Sequence, residues 1–121
     1  MNRIKHSFGE SIVIYEGAEV HSSCDLGPFT IIYPGVHIGE NVQIGASCII
    51  GKKPKIGKNQ TELSTTDKST VIQSNAIICD KVIIYNGVQI GEESTINMPL
   101  NDAVSRLRGK PGTKVLIWVR R

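Results

Sequence analysis

Large apolar residues recur at every sixth position through most of this chain. The series runs Phe8, Ile14, Val20, Leu26, Ile32, Ile38, Ile44, Ile50 and Ile56, then resumes as Ile72, Ile78, Ile84, Ile90 and Ile96. A helix repeats near 3.6 residues and a strand near 2, so neither alone produces a period of six. Two residues before most of these anchors sits a smaller side chain, such as Cys24, Thr30, Val36, Cys48, Thr70 or Ala76. Residues i and i−2 of a strand share a face. Each hexad therefore reads as a short strand that turns one large and one small side chain inward, followed by a turn. Three residues after the anchors come Gly17, Gly35 and Gly87, or Ser23, Asn41, Ser47, Asn59 and Asn75. These types accept the tight backbone that turning requires.

A strand this short cannot hold itself together. Ordering the backbone costs ~1–2 kcal/mol per residue, and a stacked apolar anchor contributes ~1.5–3 kcal/mol only when neighbours cover it. Coils that stack meet that condition. At three hexads per coil the chain predicts an all-β solenoid, a parallel β-helix of four to five coils over residues 1–96.

The runs "IGENVQIGASCIIG" and "VQIGEE" resemble the hexapeptide-repeat acyltransferases, over about residues 8–96. The stretch from "IIGKKPKIGKN" to "NGVQIGEES" is similar to the members that act on sugars and sugar nucleotides. The resemblance implies a left-handed coil and a homotrimer of parallel rods. It also implies acyl-CoA, expected to be acetyl-CoA, as donor, and an amino or hydroxyl group of a sugar or sugar nucleotide as acceptor. The alternative is a β-helix that serves as a non-catalytic scaffold or oligomerisation module.

Ile56 and Ile72 are separated by more than one hexad, and the polar run between them predicts a loop at about 58–69. Loops on rigid scaffolds often carry function. Counting that step as a single hexad assigns three faces. Phe8, Leu26, Ile44, Ile72 and Ile90 share the first, and Ile14, Ile32, Ile50, Ile78 and Ile96 the second. Val20, Ile38, Ile56 and Ile84 share the third. The outward residues Val13, Ile31, Ile49 and Ile77 then form an apolar stripe on the second face, beside Tyr15 and Tyr33. Such a stripe marks an interface, here the expected contact of the homotrimer. Glu19, His21, His37, Lys55, Ile83 and Tyr85 point outward from the third face.

Acyl transfer from a thioester needs a base for the incoming nucleophile and donors for the developing oxyanion. Histidine suits the first role. In the resembling enzymes a histidine beside the cleft between subunits performs it, which makes His37 the first candidate and His21 the second. The two fall on adjacent coils, with Cα atoms roughly 8 Å apart. Surface decoration is the competing reading for both. Lys52, Lys53, Lys55 and Lys58 would attract the phosphates of acyl-CoA, or simply form a solvated corner. His6 falls in the inward slot of a fraying first hexad. Cys24 and Cys48 read as core, and Cys79 as part of the apolar stripe. The histidine spacing does not match the zinc-binding relatives of this fold, so no metal is expected.

Residues 97–121 abandon the hexad. Residues 1–98 carry a net charge of −2 and residues 99–121 a net charge of +5, so the charge changes sign where the repeat stops. Pro99 opens a short helical pattern that Gly109 ends. "KPGT" is a turn, and Val115, Ile117 and Val119 alternate as in a half-buried strand. This stretch resembles the last helix and strand of PDZ domains in C-terminal-processing serine peptidases. The peptide-binding strand and carboxylate loop of those domains have no counterpart here, so the tail is expected to cap the rod. With three cysteines, no apolar run near the ~18 residues of a membrane span and no signal-peptide pattern, the expected compartment is the cytoplasm.

Overall fold

A computed structural model describes residues 1–53 and 69–97 of the chain. Twelve short strands follow one another along it. The first six are β1 (Val13–Ile14), β2 (Glu19–Val20), β3 (Asp25–Leu26), β4 (Ile31–Ile32), β5 (Val36–Ile38) and β6 (Gln43–Ile44). The others are β7 (Ile49–Lys52), β8 (Thr70–Ile72), β9 (Ile77–Ile78), β10 (Ile83–Tyr85), β11 (Gln89–Ile90) and β12 (Thr95–Ile96). Every third strand stacks on the one before it. The result is three four-stranded parallel sheets: β1-β4-β7-β10, β2-β5-β8-β11 and β3-β6-β9-β12. No helix occurs among the described residues. This all-β prism of four coils is consistent with a left-handed parallel β-helix.

The anchors fill the interior. Ile32, Ile50, Ile72 and Ile84 are fully buried, and the other described anchors from Ile14 to Ile96 lie nearly as deep apart from Val20, which packs partly buried against the core. The small inward slots do a second job. Thr30 Oγ1 donates to the Gly45 carbonyl at 2.9 Å, and the Cys24 and Cys48 thiols reach the carbonyls of Gly39 and Cys79, each at 3.0 Å. A buried carbonyl left unpaired costs free energy, so these donors secure the corners between coils. Burial pushes both thiols above the ordinary cysteine pKa, which keeps the proton they donate.

The corner after the first sheet has its own chemistry. Tyr15-Glu16-Gly17, Tyr33-Pro34-Gly35 and Tyr85-Asn86-Gly87 occupy it in three coils, with glycine φ values of 99°, 83° and 87°. Such angles match a type II turn, and Pro34 before Gly35 suits its first central position. The other corners use the left-handed region near φ 60°, where Asn41, Ser47 and Asn75 sit as the spacing predicts. Phe29, Lys81 and Glu93 adopt it too, although their types gave no signal. Ser23 does not. Its backbone N–H donates instead to His21 Nδ1 at 3.1 Å, and Asn59 lies outside the described residues.

At the start of the rod, Arg3 bridges Tyr15 in antiparallel fashion, and the Ile4 N–H donates to the Ile14 carbonyl at 2.8 Å. This covers the open edge of β1. His6 belongs to the same closure and is not frayed. Its Nδ1 accepts from the Phe8 N–H, so Nε2 carries the proton and donates to the Ile12 carbonyl at 2.8 Å.

The register past the break differs from the expected one. Ile38 pairs with Ile72, Ile44 with Ile78 and Ile50 with Ile84. Ile72 thus takes the rung after Ile50, the place the spacing gives to Ile56. Every later anchor moves to another face. The outward stripe of the first sheet is Val13, Ile31, Ile49 and Ile83, with Ile83 directly across from Ile49. Ile77 instead opposes Gln43 on the third sheet, and Cys79 follows it there. The reason is physical: the extra residues leave from a corner, and a corner excursion need not preserve a multiple of six. Ile56, the expected loop at 58–69 apart from Ser69, and the PDZ-like tail at 97–121 apart from Asn97, lie outside the described residues.

Candidate active site

The outer face of the second sheet carries polar chemistry where the first carries an apolar stripe. Along its strands, Glu19, His37, Val71 and Gln89 oppose one another before the anchors. One residue after the anchors come His21, Gly39 and Gln73. All of these but Gln89 line an open groove of about 710 Å³, together with Ile4, Ser74 and Glu92. Both candidate histidines line it. The sequence places them on one face of adjacent coils, and the register confirms that placement, since Val20 pairs with Ile38.

The two histidines differ in what their ring nitrogens can do. His37 Nδ1 lies 2.9 Å from Glu19 Oε1. A carboxylate only accepts, so Nδ1–H donates and Nε2 keeps its lone pair. The carboxylate therefore fixes the tautomer in which Nε2 can act as a base. The pair is open to solvent, with His37 at 43% and Glu19 at 78% side-chain exposure, which leaves the imidazole reachable. His21 has the opposite arrangement. Its Nδ1 accepts from the Ser23 N–H and lies 2.7 Å from Ser23 Oγ. In the neutral ring Nε2 then carries the proton, so His21 can donate but offers no free lone pair to the groove.

The lysines stand elsewhere. Lys52 and Lys53 line a smaller pocket of about 420 Å³ with Tyr33, Pro34 and Gly51, at the corner from which the chain departs. Neither lines the histidine groove, and Lys55 and Lys58 lie outside the described residues. Among the described residues no group of three or more His, Cys, Asp or Glu side chains is placed to hold a metal ion. No helix among them is long and apolar enough to cross a membrane.

Residues 17–52, which contain the six strands β2 to β7, match the family described as "Bacterial transferase hexapeptide (six repeats)". The match supports the repeat family. Because that family includes acyltransferases, it also supports a general transferase role, and hexapeptide-repeat proteins often oligomerise. No curated protein matches the chain.

Reading the spacing alone misses the role of Glu19 and the presence of Val71, Gln73 and Glu92. The first was legible: Glu19 and His37 are three hexads apart, which is one full coil, so they must face each other. The other three follow the break, and the shifted register hides them.

Proposed function

We propose that the chain is an acyltransferase that moves an acyl group, expected to be acetyl, from acyl-CoA to an amino or hydroxyl group of a sugar-type acceptor in the groove over the second sheet. The observation that carries this reading is the Glu19–His37 pair. Glu19 holds Nδ1–H, and Nε2 removes the proton from the acceptor as it attacks the thioester carbonyl. General-base assistance of this kind contributes about 10²–10⁴-fold. Lys52 and Lys53, at the corner leading into the second sheet, offer positive charge to the donor's phosphates. The apolar stripe of Val13, Ile31, Ile49 and Ile83 supports self-association through the first sheet, with a homotrimer as the reading. Lys52 and Lys53 line a different pocket from the two histidines, which favours separate docking of donor phosphates and acceptor.

Thiol release from acetyl-CoA, measured across a panel of amino sugars, tests the proposal. Turnover that falls on His37→Ala with the fold intact supports it. No turnover with any acceptor, and no effect of His37→Ala on any property, leaves the scaffold reading.

A further inference from the structure

The proposed chemistry uses one histidine of the groove, yet two line it, and their neighbours set them in opposite tautomers. At His37 the Glu19 carboxylate takes Nδ1–H and leaves Nε2 as an acceptor. At His21 the Ser23 backbone N–H points at Nδ1 from 3.1 Å. A proton on Nδ1 would set N–H against N–H, so in the neutral ring it sits on Nε2. Ser23 is itself held in place. Its Oγ accepts from the Asn41 N–H of the next coil at 2.8 Å, which leaves its O–H to donate to Nδ1 at 2.7 Å. The rings also converge on one level of the rod. Glu19 and His21 are two residues apart on the same face of extended chain, about 7 Å, and Glu19 draws the His37 ring towards them from the neighbouring coil. Resting on the acyl-transfer reading above, we propose that His21 is a second catalytic residue, whose Nε2–H donates to the oxyanion on the thioester carbonyl while His37 Nε2 takes the acceptor's proton.

The step balances with the groups named. The acceptor's nitrogen or oxygen bonds to the carbonyl carbon, its proton passes to His37 Nε2, and the carbonyl π pair moves onto oxygen. His21 Nε2–H stabilises that charge and keeps its proton. The carbonyl then re-forms, the carbon–sulfur bond breaks, and the departing thiolate takes the proton from His37. An amide or ester and a free thiol result. Because the charge on oxygen exists only at and near the transition state, loss of this donor falls on kcat rather than on KM.

The test follows thiol release by the full chain, with acetyl-CoA as donor and the panel of amino sugars as acceptors. His21→Ala should lower kcat by about 10- to 100-fold, at or below the lower end of what one oxyanion donor is worth in a closed site. KM and the denaturant midpoint should change little. His21→Gln supplies a side-chain N–H and no base, so it should recover much of that loss, whereas His37→Gln should stay as impaired as His37→Ala. Nitrogen-15 spectra of the histidine rings, at a pH where both are neutral, should show Nδ1–H at His37 and Nε2–H at His21 whether or not the chain turns over. If His21→Ala leaves kcat unchanged, if His21→Gln is no better than alanine, or if the spectra put the His21 proton on Nδ1, the inference falls while turnover that depends on His37 upholds acyl transfer. If no acceptor releases thiol, both fall together.

Discussion

The first and second sheets share one interior and meet the solvent in contrasting ways. Inward, both present stacked isoleucines, Ile14, Ile32, Ile50 and Ile84 on one and Ile38, Ile72 and Ile90 on the other. Outward, the first presents Val13, Ile31, Ile49 and Ile83, and the second presents Glu19, His37, Val71 and Gln89. A period-2 strand explains how both can hold at once, since neighbouring residues face opposite ways. Inward residues carry the fold, and outward residues are released from it. Association and chemistry can therefore occupy different faces of the same coil without competing for the core.

That division can be broken experimentally. The largest effect is expected on the second sheet: His37→Ala should lower kcat by about 10²–10⁴-fold, with an unchanged denaturant midpoint by circular dichroism. A fall in stability of similar rank would mean that His37 belongs to the scaffold. Next comes the interior. Ile50→Ala should cost about 2–5 kcal/mol in urea unfolding, whereas its outward neighbour Ile49→Ala should change the stability of the isolated protomer little.

The interface reading comes third and depends on the corrected register. Ile83→Asp should weaken self-association by about 10- to 100-fold in sedimentation equilibrium, and Ile77→Asp should leave it unaltered. The reverse outcome would put the contact on the third sheet. A smaller effect is expected at the corner between the two sheets. Gly35→Ala meets no atom within 4 Å, so its loss of roughly 1–2 kcal/mol would come from backbone conformation at φ 83° alone. The smallest change has the opposite sign. Phe29 is 67% exposed at φ 63°, and Phe29→Asn should raise thermal stability by up to about 1 kcal/mol, because asparagine tolerates that region better.

Most of the interior was legible because it is encoded redundantly. Each anchor repeats the message of the one before it, so the strands, their inward pairs and the burial of Cys24 and Cys48 follow from spacing alone. The juxtaposition of His21 and His37 was legible for the same reason, as they precede the break. What lies beyond Lys53 was not. A hexad count is a phase, and a phase is lost across a segment of unknown geometry. Ile77 carries a stripe-like side chain that fits the expected register, yet the hydrogen-bond ladder places Ile83 there. Asn41 and Asn75 announced their turns by residue type, whereas Lys81 and Glu93 did not, since the coil imposes the left-handed backbone whatever side chain stands there.

The place of that break has a further consequence. The chain leaves after β7 and returns as β8 on the very next rung, so the two points are tied to each other by the stack itself. Extra length inserted between them would disturb no ladder below or above. Between fixed ends, each doubling of a connection's length adds only about 0.6 kcal/mol of closure entropy. This corner is therefore an expansion joint, where a rod of fixed pitch can gain or shed residues beside its groove while the rest of the prism keeps step.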